Sequence, residues 1–365
     1  MLNKKIIAVV IPAYNEESQI GFVIETIPRF VDRIIIVNDN STDSTESIVM
    51  DYLKTNHNDT DLILKGRKIE KTFHNEADLI LEEMERKEIV YFTPSRILNE
   101  SPDGNRIILI SNLKNTGVGG SIARGYKWCK DNNIDCTAVM AGDGQMDPDE
   151  LESICMPVVN NEVDYVKGNR LIHGSSASYI PKTRYLGNSV LSLITKIASG
   201  YWRISDTQTG YTAISLNALK SVRLYSIYKR FGMPNDLLVR LNMAYCTIRE
   251  IPIKPVYRIG EKSKMKLYKV IPQISWLLFI SFFRRLWIKY FIKDFHPLFL
   301  LYNLSFVMFL ISIPFIFKIT KYAFFLHISV NPVTLLAFVF LFISALQFLL
   351  FAMWMDIQDN ERLYK

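Results

Sequence analysis

Short apolar runs recur through the first two-thirds of the chain, and each ends abruptly in polar residues. Ile6 to Ile11, Arg33 to Val37, Arg106 to Ile110 and the run closing at Ala141 are of this kind. Continuous rather than alternating hydrophobicity predicts strands covered on both faces, as in a parallel sheet. Between the runs the apolar period lengthens to that of a helix. Ile20, Val23, Ile24 and Ile27 keep that spacing, as do Ile122, Ala123, Tyr126 and Trp128. Further helices are predicted from Pro148 to about Val159, from Ile180 to Tyr201 and from Pro234 to about Met243. Further strands are predicted at Asp164–Arg170 and Arg249–Ile253. Residues 56–105 are polar and read as an insertion with one helix of its own, Asn75 to Lys87. Strands alternating with helices predict an α/β domain with its ligand site outside the strands' carboxyl ends.

The pattern changes after residue 265. Val270 to Tyr290 is apolar but broken by Pro272, Gln273, Arg284 and Arg285. Its uncharged core is too short to span a bilayer, so it reads as one or two helices lying in the interface. Pro297 to Phe317 and Leu335 to Met355 are long enough to span. Lys262 to Lys293 is richer in Lys and Arg than the turn between the spans, which predicts a cytoplasmic domain and C-terminus. At the N-terminus, Lys4 and Lys5 precede an apolar run shorter than a signal peptide's, so that run reads as the first strand. The expected organisation is a soluble domain at 1–265, interfacial helices at 266–295 and a two-helix transmembrane hairpin at 296–365.

The net charge of +7 over 365 residues suggests phosphate or anionic lipid as partner. No dense basic tract is interleaved with aromatics, which argues against nucleic acid. Cys129, Cys136, Cys155 and Cys246 form no CxxC pair, which argues against a zinc site or a disulfide framework.

The candidate chemistry lies where strands end. Ala141-Gly142-Asp143-Gly144-Gln145 closes one run. Asp143 offers a hard oxygen ligand to Mg²⁺ or Mn²⁺, and the Gln145 amide oxygen can help. The same residues also read as a Gly-Asp turn before Pro148. Pro12-Ala13-Tyr14-Asn15-Glu16 closes the first run; Tyr14 could stack on a base and Glu16 accept from sugar hydroxyls. Asn15 or Ser18 could instead cap a helix. Asp39, after Val37, could read base N–H groups, while Ser41 to Asp43 can cap the next helix. Gly117-Val118-Gly119-Gly120 could approach phosphate or form a tight helix entry. Arg170 could clamp a phosphate. Asp206 could face an acceptor or tie its own loop. Arg258 and Lys264 lie in a basic loop suited to a diphosphate or to anionic lipid.

Taken in order, Pro12 to Glu16, Val37 to Ser41, Gly142 to Gln145, Asp206 to Tyr211 and Arg258 to Lys264 resemble family 2 glycosyltransferases of GT-A fold. The likeness is to their membrane-anchored branch, similar to dolichol-phosphate mannose synthase and bacterial polyprenyl-phosphate glycosyltransferases. It covers about residues 5–265, less the insertion. The resemblance implies a nucleotide-diphospho-sugar donor, a polyprenyl phosphate acceptor, Mg²⁺ or Mn²⁺, and inverting transfer at the cytoplasmic membrane face. By position, it assigns the nucleotide to Pro12, Tyr14, Glu16, Val37, Asp39 and the backbone of Ala141 and Gly142. It assigns the metal to Asp143 and Gln145, phosphates to Arg170, Arg258 and Lys264, and the acceptor side to Asp206. The family's usual Asp-x-Asp has Ala141 in place of its first acid. Two other readings stand beside this one: transfer to a lipid-linked sugar or polysaccharide hydroxyl, and a non-catalytic nucleotide-sugar-binding scaffold. A homo-oligomer is left open.

Overall fold

A computed structural model describes residues 1–55, 62, 64, 71–172, 182–256, 267–326 and 328–365. Its centre is an eight-stranded sheet: β1 (Ile7–Ala13), β2 (Arg33–Asn38), β3 (Ser95–Ile97), β4 (Ile107–Asn112), β5 (Cys136–Val139), β6 (Tyr165–Asn169), β7 (Thr212–Ser215) and β8 (Ile248–Pro252). The strand order is β3-β4-β2-β1-β5-β7-β6-β8. The block β4-β2-β1-β5 is parallel, β7 runs antiparallel between β5 and β6, and β8 is parallel to β6. The helices are α1 (Ile20–Thr26), α2 (Thr45–Leu53), α3 (Glu76–Lys87), α4 (Val118–Asp131), α5 (Leu151–Val159), α6 (Lys182–Ser199), α7 (Leu216–Ser221), α8 (Met233–Met243), α9 (Leu267–Trp287), α10 (Pro297–Thr320) and α11 (Pro332–Glu361).

The continuous apolar strands are explained by cover on both faces. Ala8, Val10, Ile35, Val37, Ile108 and Ile110 point to the layer holding α4, where Ile122, Tyr126 and Trp128 meet them. The alternate residues Ile7, Val9, Ile11, Ile34, Ile36 and Leu109 point to the layer of α1 and α5. Alternate residues of one strand thus feed opposite layers, as a pleated strand requires. Part of the expected insertion belongs to the sheet instead. Ser95–Ile97 pairs antiparallel with β4, and Phe92 is buried in the core. Three residues are too few to carry a readable apolar period.

Helix α9 is a single helix of 21 residues, continued by a π-helical turn at Ile288–Lys293. Two helices, Pro297–Phe324 with its π-helical end and Pro332–Glu361, are long and apolar enough to cross a membrane, with mean hydropathy 2.1 and 2.6. They pack through small residues: Ser305 donates to the Ala345 carbonyl at 2.8 Å, and Ala345 and Ala352 are buried.

The polar end of α11 returns to the sheet domain. Asp356 and Arg285 of α9 form a fully buried bidentate pair at 2.7 and 2.8 Å. The Arg285 guanidinium also donates to the Ala198 and Ile197 carbonyls at the end of α6. Lys289 reaches Asp359 and Asn360, and Asn360 joins Asn242 of α8. Beyond α11, Leu363 and Lys365 bond to both sides of Ile248, so the chain's last residues bridge to the outer edge of β8.

Removing one partner strands a buried charge and costs about 3–5 kcal/mol. Arg285→Ala or Asp356→Ala should lower the unfolding midpoint of the detergent-solubilised protein sharply. The double replacement Arg285→Met with Asp356→Leu should recover most of the loss.

Candidate active site

The loops at the carboxyl ends of β1 and β2 hold each other. Pro12 lies opposite Val37 in the sheet register. Asn15, with φ +55°, receives a bond from Thr42 N at 2.8 Å and sends its own N–H to Ser41 Oγ at 3.1 Å. Glu16 N donates to Thr45 Oγ1, and Ser44 N donates to Glu17. These acceptors correct the expected caps. Neither Asn15 nor Ser18 caps α1, whose N-terminal flank is Gln19 with no side-chain cap bond. Asn15 ties loop to loop instead. Asp43 does anchor the start of α2, accepting from Thr45 N at 3.0 Å. Tyr14 is left at the rim, 40% exposed, and Glu16 is half-buried beside it.

Asp39 is 3% exposed, and its carboxylate accepts from Asn112, from Thr116 N and Oγ1, and from Gly117 N, at 2.7–2.9 Å. Its first duty is to fix the loop entering α4. Gly117 makes that entry with φ +81°, and Gly119 and Gly120 donate to the Lys229 carbonyl. A Cβ at Gly119 would collide with the Tyr228 carbonyl. The glycine-rich start is therefore a tight helix entry, with the N–H groups of Gly117, Gly119 and Gly120 bonded to protein. A polar cleft of about 720 Å³ opens beside it, between Asn40, Ser41 and Glu46 on one side and Ser111 and Asn112 on the other. None of the assigned site residues lines it.

Beyond β5 the chain turns sharply. A Cβ at Gly142 would sit 3.3 Å from the Pro12 carbonyl, and Gly144 has φ +72°. Asp143 is half-buried and accepts from Gln145 N at 3.1 Å. Asp147 is committed elsewhere: it caps the turn at Asp149 and pairs with Lys254 at 3.0 Å. Among the described residues no group of three or more His, Cys, Asp or Glu is placed to hold a metal by itself. One carboxylate and one amide oxygen suit an ion whose remaining ligands are diphosphate oxygens and water, as for magnesium.

The third constellation joins β6 to β8. The Arg170 fork meets Asp206 at 2.8 and 3.1 Å, and Arg170 N adds a third bond to the same carboxylate. Gln208 N and Thr209 N donate to it as well. Asp206 is 1% exposed. Burial pushes its carboxyl up, but Arg170, with Lys167 behind it, brings it below the usual carboxylate range. Of the two readings of Asp206, the structure displays the loop tie: the carboxylate holds its own loop and Arg170. Glu250 holds the same loop from β8, accepting from Ser205 N and Oγ, Asp206 N and Asn169 Nδ2 at 2.8–3.0 Å. Lys167, fully buried, donates to the Thr209 carbonyl at 2.6 Å. Lys167, Asn169, Ser205 and Glu250 escaped sequence reasoning. Lys167 left one signal, a lysine inside a strand otherwise read as buried. Arg258 and Lys264 lie outside the described residues, as does the start of the helix expected from Ile180.

Residues 8–71 and 93–223, more than half of the chain, match the family model described as glycosyl transferase family 2. The chain belongs to that family. A UDP-N-acetylglucosamine–dolichyl-phosphate N-acetylglucosaminyltransferase of Methanococcus voltae is 29% identical over 254 residues, covering 69% of this chain and 86% of that protein. A dolichyl-phosphate β-glucosyltransferase of Trichomonas vaginalis is 23% identical, covering 76% and 74%. Among solved structures, glucosyl-3-phosphoglycerate synthase from Mycobacterium tuberculosis, in complex with Mn²⁺, UDP and glucosyl-3-phosphoglycerate, has a TM-score of 0.46. It is 16% identical and covers 77% of this chain and 80% of that one. The chain is accordingly a glycosyltransferase, built on the mixed sheet described above, with relatives that act on dolichyl phosphate. The family match omits residues 72–92 and ends before α8, α9 and the apolar helices.

Burial lowers the Lys167 ammonium from 10.5 to about 8, against the pull of Asp206 and Glu250. Between those values the folded chain binds fewer protons than the unfolded one. Stability from this group is therefore gained as pH rises from about 8 to 10.5. Buried Cys129 and Cys246, pushed up to about 12 and about 11, act in the opposite sense at the alkaline end. Wild type should gain stability across that window relative to Lys167→Met in paired thermal melts. Parallel curves would mean that Lys167 titrates normally.

Proposed function

We propose that the chain moves a sugar, with inversion, from a nucleotide-diphospho-sugar to a polyprenyl phosphate at the cytoplasmic membrane face. The observation that carries this reading is the Arg170–Asp206 pair. The carboxylate assigned to the acceptor side, Asp206 in the loop before β7, is buried and committed to an arginine. A hydroxyl acceptor requires proton removal. A phosphate monoester is already largely ionised near neutral pH. What it needs is relief from repulsion by the donor diphosphate. An arginine held at a strand end suits that task. Arg258 and Lys264 are assigned to the same phosphates.

Pro12, Val37 and Tyr14 frame the nucleotide side of the same edge, with Glu16 toward the ribose. Asp39 serves the base indirectly, by fixing the loop from Asn112 to Gly117. Ala141 and Gly142 bring backbone close to the donor. Asp143 and Gln145 are the residues that would hold Mg²⁺ or Mn²⁺, and the ion would offset charge on the leaving diphosphate. Likeness to the Methanococcus voltae enzyme makes UDP-N-acetylglucosamine the first donor to test, and likeness to the Trichomonas vaginalis glucosyltransferase makes a nucleotide-diphospho-glucose the second. The excess of Lys and Arg before the first apolar helix supports a cytoplasmic domain. The domain boundaries we favour remain 1–265, 266–295 and 296–365.

The test uses full-length protein in detergent with polyprenyl phosphate and each donor. Nucleoside diphosphate release should depend on the lipid and stop with a chelator; the anomeric configuration of the product reports inversion. Asp143→Ala should lower turnover by about 10²-fold or more. Release that is independent of lipid, or is supported only by a hydroxyl acceptor, would overturn the proposal.

A second measurement addresses Asp206. As a positioning residue it should leave the shape of the pH–rate profile unchanged when replaced by Asn, while the KM for the lipid phosphate rises. Disappearance of the profile's acidic limb in Asp206→Asn would identify a general base instead.

A further inference from the structure

The turn that carries Asp143 and Gln145 is closed by an apolar side chain, Met146. Pairing of β5 with β1 runs one residue past the strand, through Met140 N and the Val10 carbonyl at 3.1 Å. On the other edge, the antiparallel register with β7 stops at Val139 opposite Thr212. Two steps further, that register would set Ala141 opposite Gly210. In place of that pairing the Met146 side chain meets both segments. Its sulfur accepts from Ala141 N at 3.2 Å, and a Cβ on Gly210 would stand 3.5 Å from its methyl carbon. One residue on in each segment, the Tyr211 hydroxyl donates to the Asp147 carbonyl at 2.9 Å.

A backbone N–H that leaves a sheet edge needs an acceptor. A thioether is a weak one. Its unbranched, polarizable chain, however, fills an irregular gap that a stiffer residue would not. Met146 is also steadied from beneath, packed against the core layer of α1 and α5. Between Ala141 and Met146 the chain reverses at Gly144, and Asp143 accepts from Gln145 N. One carboxylate and one amide oxygen bring little charge to a divalent ion. Affinity then depends on how firmly the groups around the ligands hold them.

We propose that Met146 is a positioning residue for the cation. By holding Ala141 N, its sulfur sets the width of the turn that presents Asp143 and Gln145. Its methyl end sets the spacing between that turn and the Asp206–Tyr211 loop. This rests on the assignment of Mg²⁺ or Mn²⁺ to Asp143 and Gln145.

The test measures Mn²⁺ binding by electron paramagnetic resonance, which reads the free ion, on full-length protein in detergent with UDP present. Met146→Leu keeps the apolar bulk and deletes the acceptor; Met146→Gln keeps the chain length and supplies a carbonyl acceptor. Met146→Leu should weaken Mn²⁺ binding about tenfold while melting close to wild type. Met146→Gln should regain most of that loss. A packing role predicts the opposite order, because leucine suits the apolar contact and glutamine does not. Wild-type affinity in Met146→Leu, or a glutamine variant no better than the leucine one, would overturn the proposal. Asp143→Ala separates this proposal from the assignment beneath it. If Asp143→Ala loses Mn²⁺ and Met146→Leu does not, the role of Met146 alone fails. If Asp143→Ala keeps Mn²⁺, the metal assignment fails and the role of Met146 falls with it.

Discussion

The junction between the apolar helices and the sheet domain rests on one buried ion pair, Arg285 with Asp356. Both side chains are fully buried. Such a pair is tolerated only where the remaining hydrogen-bonding groups are satisfied as well. Here they are: Arg285 also reaches two carbonyls at the end of α6, and Asp356 also accepts from Tyr290 and Asn360. Ends of three helices converge on it, and none could shift without stranding a charge. The consequence is geometric. The far end of the second apolar helix is locked beside the enzyme domain, so the hairpin is an integral part of the body rather than a tethered anchor.

A second polar knot lies along the same edge of the sheet. Glu250 of β8 fixes the Ser205–Asp206 backbone, and Asp206 fixes Arg170. The other edge of β8 receives the residues that follow α11. One strand therefore separates the tie to the apolar helices from the tie to the candidate phosphate arginine. The proximity is structural; energetic coupling across it is a separate matter that only double-mutant cycles measure.

Much of the architecture was legible in the sequence because it follows from local rules. Doubly covered strands must be apolar throughout, which exposed β1, β2, β4 and β5. Spanning helices must be long and uncharged, which exposed α10 and α11. The loops after β1, β2 and β5 were legible because polar residues interrupt apolar runs. Partners were not legible. Asp206 bonds to a residue 36 positions earlier, and Asp39 to one 78 positions later. Nothing in the local pattern separates a carboxylate awaiting a ligand from one already satisfied. Glu250 was hidden for a related reason: in a half-exposed edge strand, a charged residue reads as solvent-facing.

The division of labour along the chain follows from these ties. The family match covers the loops after β1, β2 and β5, together with Arg170 and Asp206. It stops before α8, α9 and both apolar helices, which supply nearly every side chain of the junction: Asn242, Arg285, Lys289, Tyr290, Asp356 and Asn360. What the family domain contributes there is chiefly main chain, the carbonyls of Ile197 and Ala198. A main-chain carbonyl is offered by any sequence that keeps α6 helical to its end. The membrane attachment can thus be built from residues outside the catalytic fold, and it constrains that fold only through the path of one helix.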